Sequence, residues 1–310
     1  MRLVPTLTVG AALAWTAVHR QSPAVRHWRA PHRRSVNGTT LATTSTAAQS
    51  PDDDAPVLVL LHGLTASGIS FGAHYDRLDQ QVVVPDLLGF GASRTAPTTG
   101  YDRPTHLASV ESTLAQLGVI HRPTMVVGHS MGAVLALHLA ARLPRPLGVL
   151  ALSAPLYDTR EEAMAHIGHA TPLARLFATG GAAELMCQWM CDHRQAASLV
   201  WPLLAPRWPW PIAAAGVQHT WPAYSGSLES LVIDSGYATA IGALDAAGIP
   251  VRLVNGSRDG VPVEGRAQEL ALRYPTLSAA TVQGVGHELP ISRPQECVDH
   301  LVGMLSAVSL

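Results

Sequence analysis

The stretch from residue 126 to 133, Val-Val-Gly-His-Ser-Met-Gly-Ala, constrains the fold of this chain more than any other. It is typical of a buried strand that passes through a sharp turn into an Ala- and Leu-rich helix. Gly128 and Gly132 let the neighbouring backbone pass closely, because they carry no side chain. Ser130 is then held out above the sheet edge as a candidate nucleophile. The backbone N–H of Met131 would point at a developing oxyanion.

A second copy of the Gly-x-Ser-x-Gly pattern occurs at residues 68–72 and centres on Ser70. The pattern alone is weak evidence for a nucleophile, because its structural context decides its meaning. The copy at Ser70 follows a loop, whereas the copy at Ser130 follows a predicted strand. We therefore predict that Ser130, and not Ser70, is the nucleophile.

The composition indicates a globular chain with a large core. With 310 residues and 47% apolar residues, it allows one large α/β domain, with or without an insertion, or two small domains. The net charge of −1 and the lack of a basic stripe argue against nucleic acid as a partner. Three cysteines in a chain of this length do not indicate a disulfide framework.

Two groups of potential metal ligands are interpreted as structural. Cys187 and Cys191 lie four residues apart with His193 just beyond, but no fourth ligand is found. Glu162, His166 and His169 share one helix face, which we interpret as a solvated surface. We therefore predict neither a metal nor a cofactor.

The N-terminal segment, residues 1–27, is predicted to be helical. Residues 3–18 are mostly apolar but fall short of the ~20 residues that a spanning helix needs. Three interpretations stay open: an amphipathic helix that docks on the domain or makes peripheral contact with a membrane surface, a membrane anchor, or a signal peptide cleaved near Ala12-Leu13-Ala14. We expect a cytoplasmic protein, with secretion or membrane association as alternatives.

Strand and helix patterns alternate over residues 28–154 and 227–310, which favours a parallel sheet covered on both faces. The first element is a predicted β-hairpin over residues 28–46, with Asn37-Gly38 as a two-residue turn. Further strands are predicted at residues 57–61, 81–85, 124–128, 147–153, 250–255 and 277–282. Helices are predicted at residues 71–78, 104–117, 131–143, 227–247, 263–274 and 295–308.

Residues 155–226 interrupt this alternation with helical patterns that have no intervening strand. We predict an inserted helical cap over the sheet edge. Its segment from Trp201 to Pro211 is too rich in proline for a helix or strand interior. The cap holds five of the seven tryptophans. They either fill the core of the cap or form an apolar cleft wall, for which the candidates are Trp189, Trp208, Trp210 and Trp221.

The loop from Asp86 to Ser93 is rich in glycine. A phosphate-binding loop would need Gly-x-Gly-x-x-Gly at the start of a helix, and that spacing is missing. We predict instead that the Asp86 carboxylate accepts hydrogen bonds from backbone N–H groups and so fixes the loop.

Ser130, Asp259 and His287 share one topological feature, because each follows the carboxyl end of a predicted strand. The carboxyl ends of parallel strands meet at one sheet edge, where open α/β sheets bind ligands. The order Ser, Asp, His is also the order expected when the nucleophile occupies a strand-to-helix turn. Asp158, which follows the strand at residues 147–153, is the alternative acid.

Together these motifs resemble the α/β-hydrolase fold family, in its capped esterase- and lipase-like branch. The resemblance covers residues 28–305, nearly the whole chain. It implies a mostly parallel sheet of eight strands with a lid inserted after the sixth. The motifs are His62-Gly63, Asp86–Ser93, Gly128–Gly132, Gly256–Asp259 and Gly286-His287.

The resemblance also implies a role for each site residue. Ser130 would be the nucleophile, His287 the general base and then acid, and Asp259 the group that orients the imidazole. The backbone N–H groups of Met131 and Leu64 would form the oxyanion hole, and His62 would be structural.

The implied function is hydrolysis of an ester or related acyl bond of a small, apolar substrate through an acyl-enzyme. Serine at the turn disfavours the alkyl-enzyme chemistry of relatives with aspartate there, and His129 before it is the commoner esterase choice. Hydrolysis of a C–C bond, lactone or thioester, cofactor-free peroxidation, and a low-turnover ligand-binding protein are the alternatives.

Overall fold

An eight-stranded sheet lies at the centre of the molecule in the computed structural model, which describes residues 4–47, 54–169 and 181–308. The strand order is β1-β2-β4-β3-β5-β6-β7-β8. β2 pairs antiparallel with β1 and β4, and all other neighbours are parallel, which confirms the predicted mostly parallel sheet. The strands are β1 Arg34–Val36, β2 Thr43–Ser45, β3 Val57–Leu61, β4 Gln81–Pro85, β5 Thr124–His129, β6 Pro146–Leu152, β7 Val251–Gly256 and β8 Leu277–Val282.

Helices cover both faces of this sheet, as the continuous apolar runs of the central strands require. All five residues of β3 are buried, because β3 lies between β4 and β5. The helices are α1 Val4–Gln21, α2 Pro23–His27, α3 Arg103–Gln116, α4 Met131–Ala140, α5 Arg160–His169, α6 Gly181–Asp192, α7 Arg194–Leu204, α8 Trp210–Ala215, α9 Trp221–Leu228, α10 Tyr237–Ala246, α11 Arg266–Arg273, α12 Leu289–Ser292 and α13 Pro294–Val308.

Two separate hydrophobic clusters follow from this layering. The larger one contains buried side chains of α3, α4 and α10 against one sheet face, including Leu107, Val134 and Ile241. The other contains residues of α13 and of the loop after β3, such as Leu301 and Phe71, against the opposite face. The sheet is thus buried between two apolar layers, and only its edges are open to a ligand.

The N-terminal hairpin is present, but the predicted two-residue turn is wrong. Val36 pairs with Thr43, so residues 37–42 form the connection. These residues leave the ladder because they bind α3 instead. The Leu41 N–H donates to the Thr113 hydroxyl over 3.1 Å, and the Leu41 side chain is fully buried. Burial of Leu41 outweighs the local turn preference of Asn37-Gly38.

The predicted helix over residues 71–78 is also wrong. The segment contains a single 3-10 turn, Tyr75–Arg77, because Phe71 and Tyr75 are both fully buried and their rings meet edge to face. At Gly72 the chain passes against the N-terminal segment, where an added Cβ would lie 2.6 Å from the Arg29 carbonyl oxygen. Tertiary packing, rather than the local helical pattern, therefore determines the backbone conformation of this segment.

Two predicted helices are shorter than expected because glycines adopt positive φ. The prediction over residues 227–247 becomes α9, a π-helical turn at Glu229–Ile233 and α10, with Gly236 at φ 59° before α10. α11 begins only at Arg266, because Gly265 at φ 78° precedes it. Left-handed backbone cannot continue a right-handed helix.

Residues 155–226 hold the helices α5 to α9 in the part that the structure describes. The expectation that the proline-rich segment lies outside helices is wrong, because Pro202 lies within α7 and Pro211 within the first turn of α8. Proline tolerates the first turn of a helix, since the N–H it lacks has no partner there. The division into a core and a cap stays a prediction.

The N-terminal helix α1 contacts the segment that follows α7. The Trp15 indole N–H donates to the Leu203 carbonyl over 2.9 Å, and the His19 Nδ1 lies 2.8 Å from the Pro206 carbonyl oxygen. α1 therefore docks on the domain through its C-terminal half. Within the described ranges, no helix combines the length and the apolar character needed to cross a bilayer.

Candidate active site

Ser130 lies at the tight turn between β5 and α4, with φ 55° and ψ −124°. Its N–H donates to the Leu152 carbonyl over 2.9 Å, which ties the turn to the neighbouring strand β6. The turn needs glycine on both sides. A Cβ at Gly128 would lie 2.2 Å from the Gly132 carbonyl oxygen, and one at Gly132 would lie 2.2 Å from the Leu61 carbonyl oxygen.

The structure brings Ser130, His287 and Asp259 into one chain of hydrogen bonds. The Ser130 Oγ lies 2.9 Å from the His287 Nε2. On the other side of the ring, the His287 Nδ1 lies 3.0 Å and 3.1 Å from the two Asp259 carboxylate oxygens. When the His287 Nδ1 carries a proton and donates it in a hydrogen bond to the carboxylate, Nε2 is free to accept the serine proton.

Packing between two loops positions Asp259 and His287. The Arg258 N–H donates to the Val285 carbonyl over 2.9 Å. Gly256 permits this approach, because a Cβ there would lie 2.4 Å from the same carbonyl oxygen. The loops after β7 and β8 therefore act as one unit at the carboxyl edge of the sheet.

Asp259 is built to stay ionised. Its side chain has no solvent-exposed surface, and that burial alone raises the pKa of the carboxyl. The hydrogen bonds and the positive charge from His287, together with the Val261 N–H at 3.0 Å, outweigh burial and leave the pKa of Asp259 lowered. The ionised carboxylate is therefore available to accept the hydrogen bond from the His287 Nδ1–H.

The two predicted oxyanion donors flank Ser130. Met131 is the first residue of α4, so its N–H has no acceptor within the helix. Leu64 follows Gly63, where a Cβ would lie 3.1 Å from the Ser130 Cβ. The loop after β3 therefore packs directly against the serine. The role of the Leu64 and Met131 N–H groups as oxyanion donors stays a prediction.

Backbone strain is concentrated at the same sheet edge. Among the described residues other than glycine, positive φ occurs at Thr65, Ser130 and Ser153. These three residues follow β3, β5 and β6, which are neighbours in the sheet. Such residues persist only where surrounding structure over-determines them, and they cluster at functional sites.

His129 is a further residue of the site, for which the sequence predicted only an esterase-like substrate class. Its Nε2 lies 2.7 Å from the His287 carbonyl oxygen, and the two rings are 4.9 Å apart. Burial, followed by the proximity of His287, lowers the pKa of His129 to about 3. The neutral ring therefore donates its Nε2–H to the backbone of His287. Its place directly before the nucleophile is the sequence signal that could have indicated this role.

The alternative acid, Asp158, has other partners. It forms an ion pair with Arg266 and accepts a hydrogen bond from the Tyr237 hydroxyl over 2.5 Å. Arg266 also binds Glu162, with 3.0 Å between the guanidinium and the carboxylate. The structure thus brings Asp259, rather than Asp158, to His287.

His62 and Asp86 hold the loops around the site. The His62 Nε2 accepts the Leu87 N–H over 2.8 Å, and its Nδ1–H donates to the Gly63 carbonyl over 2.8 Å. Burial lowers the pKa of His62 and keeps the ring neutral. The Asp86 carboxylate accepts the N–H groups of Gly68 and Ala92 over 2.7 Å and 2.8 Å, which confirms its predicted role.

The four candidate pocket tryptophans lie in different surroundings. Trp189 is 55% exposed and stacks on His193, and Trp210 is 40% exposed. Trp208 packs against a small buried cluster, and Trp221 stacks on Tyr224. The role of these four rings in a substrate pocket stays a prediction.

The remaining candidates are dispersed. Ser70 is buried within the 3-10 turn Gly68–Ser70, and the three cysteines are free thiols. The His166 ring lies against Tyr157, while the side chain of His169 is outside the described residues. In the parts of the chain that the structure describes, no group of three His, Cys, Asp or Glu residues is arranged to hold a metal ion.

Comparison with known proteins places this geometry in context. A family model described as "Alpha/beta hydrolase family" matches residues 58–300. The chain is 40% identical to the magnesium-chelatase 30 kDa subunit of Rhodobacter capsulatus over 95 residues, which is 30% of this chain and 33% of that protein. It is 27% identical to lipase 3 of Moraxella sp. over 134 residues, 42% of each chain. The matched stretches span less than half of either relative.

One solved structure with the same fold is the esterase RhEst1 from Rhodococcus sp. ECU1013. Its TM-score is 0.64 at 18% sequence identity, and the match covers 89% of this chain and 98% of that one. At this identity the likeness concerns the fold alone.

Proposed function

Because the chain belongs to the alpha/beta hydrolase family, we propose that it is a serine hydrolase that cleaves an ester or related acyl bond of a small, apolar substrate through an acyl-enzyme. The observation that carries this proposal is the contact of 2.9 Å between the Ser130 Oγ and the His287 Nε2. A nucleophile within hydrogen-bond reach of a base, which a third group orients, is the signature of nucleophilic catalysis.

In the proposed reaction, the Ser130 Oγ attacks the substrate carbonyl carbon while the His287 Nε2 accepts the serine proton. The carbonyl oxygen becomes an oxyanion, to which the N–H groups of Met131 and Leu64 donate. As the intermediate collapses, the bond to the leaving alcohol breaks and His287 returns the proton to that oxygen. Water then repeats the sequence on the acyl-enzyme and releases the acid.

Asp259 and His129 support His287 from two directions. The Asp259 carboxylate accepts a hydrogen bond from the His287 Nδ1–H and stabilises the imidazolium that forms in each step. His129 fixes the backbone of the same residue through its hydrogen bond to the His287 carbonyl. Neither group touches the substrate, and both position the base.

We also propose that residues 155–226 cover the sheet edge and shape the substrate pocket, with Trp189, Trp208, Trp210 and Trp221 as candidates for its wall. Support comes from the contact between this segment and the loop after β4. The Gly91 N–H donates to the Gln218 carbonyl over 2.8 Å. His219 and Phe90 form an isolated antiparallel β-bridge. The contact supports the proposal, because β4 runs parallel to β3 and β5 and its following loop lies at the same edge of the sheet as Ser130.

The test is Ser130→Ala, assayed with a short-chain nitrophenyl ester and with a fluorophosphonate probe. We expect turnover to fall by about 10⁴-fold or more, because the nucleophile is lost, and labelling to disappear. Ser70→Ala is the matched control, since Ser70 occupies the second copy of the pattern, and it should keep both activities. Unchanged hydrolysis by the Ser130 variant would overturn the proposal.

Absence of a fluorophosphonate adduct on the unaltered protein would favour a ligand-binding protein instead. For an active protein, a panel of acyl esters, lactones, thioesters and C–C substrates separates the proposed ester hydrolysis from the other reactions that share this machinery. A peroxidation assay completes the panel.

A further inference from the structure

The solvent-facing side of α7 is apolar. Residues three and four apart lie on one face of a helix. On this face, Leu199, Leu203 and Leu204 are 64%, 53% and 70% exposed, and Val200 is 49% exposed. Ala196 lies on the same face and is also exposed. A helix on the surface of a globular protein normally presents charged and polar residues at these positions.

Neighbouring helices extend this surface. α1 is bonded to the end of α7 through the contact of 2.9 Å between Trp15 and the Leu203 carbonyl, and its Leu13 and Val18 are 66% and 40% exposed. We call this surface the apolar face and define it by its exposed large side chains: Leu13, Val18, Leu199, Val200, Trp201, Leu203, Leu204 and Trp210. Exposed apolar side chains in this number on adjoining helices indicate an interaction site.

The segments that form the apolar face carry positive charge and no negative charge. The helix α1 contains Arg20 and no Asp or Glu, although the whole chain has a net charge of −1. Residues 193–228 contain two arginines and, again, no acidic residue. Arg20 and Arg207, which lie beside the contact between α1 and the segment after α7, are both exposed. The partner of this face is therefore apolar with a negatively charged rim.

We propose that the apolar face binds a lipid surface that contains anionic headgroups. Leucine and tryptophan side chains would enter the boundary between headgroups and acyl chains, and the arginines would contact phosphates. Tryptophan is enriched at that boundary because its ring is apolar and its N–H is polar. This mode requires no spanning helix. It also does not depend on the proposed hydrolysis.

A second copy of the chain is the competing occupant. A twofold contact through this face would place the same patch against itself and bring Arg20 and Arg207 towards their own copies. Like charges at an interface oppose association, and no acidic residue in these segments compensates them. A lipid surface with negative headgroups satisfies both the apolar and the charged part of the face.

The experiment is flotation of the full chain with vesicles of phosphatidylcholine alone, or with about a third phosphatidylglycerol. We expect binding to the anionic vesicles that weakens in about 0.5 M salt. The double variant Leu199→Ser/Leu204→Ser should bind at least tenfold more weakly, because two apolar side chains no longer enter the acyl-chain boundary. Arg20→Glu/Arg207→Glu should lose binding to the anionic vesicles.

Leu272→Ser is the matched control, because Leu272 is 91% exposed but lies on α11, away from the apolar face. It should bind as the unaltered chain does, and all variants should unfold at similar temperatures. The proposal is overturned if the unaltered chain does not bind, if binding ignores lipid charge and salt, or if the control weakens binding as much as the double variant. A dimer that the double variant dissociates, without vesicle binding, would assign the face to a second copy.

Discussion

Helices α4 and α7 are both rich in alanine and leucine, yet they meet opposite environments. Nine of the ten residues of α4 are buried, because it lies behind β5 and β6 in the larger hydrophobic cluster. Of the eleven residues of α7, only Ala197 and Pro202 are buried. An apolar helical sequence therefore does not by itself indicate where the helix lies.

The difference in burial between α4 and α7 corresponds to two different roles, one in positioning the site and one in presenting a surface. α4 begins at the proposed nucleophile, so any shift of its axis would move Ser130 relative to His287. α7 holds no group of the proposed triad and instead presents a surface. We therefore expect substitutions around α4 to be costly and substitutions on the apolar face to be tolerated by the fold.

The largest effect that would separate the two regions is catalytic. Asp259→Asn should lower turnover of a nitrophenyl ester by about 10⁴-fold, because an amide at this position favours the wrong tautomer of His287. Leu204→Ser, on α7, should hydrolyse a water-soluble ester at the unaltered rate. Similar turnover numbers for the two variants would contradict the assignment of catalysis to Asp259 and not to α7.

Stability should separate the two helices next. Leu137→Ala in α4 removes a fully buried side chain and should lower the free energy of unfolding by about 3 kcal/mol. Leu204→Ala in α7 should change it by less than about 0.5 kcal/mol, because Leu204 is 70% exposed. Urea denaturation of both variants measures this difference, and equal midpoints would contradict it.

A smaller effect is expected at the start of α4. Gly132→Ala would place a Cβ 2.2 Å from the Leu61 carbonyl oxygen, and we expect a loss of about 2 kcal/mol from the resulting backbone shift. Gly303→Ala is the matched control, because Gly303 lies within α13 and an added Cβ there meets nothing within 4 Å. The unfolding temperature of that variant should equal or exceed that of the original chain.

Stability should also depend on pH. Burial lowers the pKa of His129 at the site to about 3, and burial lowers the pKa of His219 beside α9 to about 4. Unfolded histidine has a pKa of about 6.5, so below that pH the unfolded state binds protons that the folded state does not. The free energy of unfolding should therefore fall as pH decreases from about 6.5 to 4, by up to about 1.4 kcal/mol per pH unit for each group.

His219→Asn should reduce that slope when urea midpoints are measured between about pH 4.5 and 6.5, because one buried neutral histidine is removed. The folded-state pKa of Asp259 is lowered, so its contribution to stability is lost only at more acidic pH. An unchanged slope in the His219 variant would show that this ring does not stay neutral in the folded protein.

Much of the sheet and of the proposed triad could be predicted because the relevant signals are local. Continuous Val and Leu runs mark β3, β4 and β5 as strands buried on both faces. The chain order of Ser130, Asp259 and His287 after strands predicts their convergence, and in the structure the His287 ring lies within 3.1 Å of both the Ser130 Oγ and the Asp259 carboxylate. The family assignment follows from the same ordered motifs.

The predictions that failed depend on contacts between distant segments. Leu41 does not pair within the hairpin, because its N–H donates to the Thr113 hydroxyl of α3, 72 residues away, and its side chain is buried in the larger cluster. Residues 71–78 do not form the predicted helix, because the burial of Phe71 and Tyr75 determines the path of the backbone there. The hydrogen bond between His129 and the His287 backbone spans 158 residues and leaves no periodic pattern in the sequence.

By itself, the sequence determined the fold family, the order of the strands along the chain and the identity of the residues at the proposed site, because turn glycines and buried apolar runs act on their near neighbours. Only the tertiary structure decided that His129 binds the His287 backbone, how residues 37–42 and 71–78 pack, and which apolar helix faces solvent. Those outcomes depend on competition among packing partners far apart in the chain. The same alanine and leucine side chains that bury α4 against the sheet remain on the surface in α7, where the described structure supplies no covering layer.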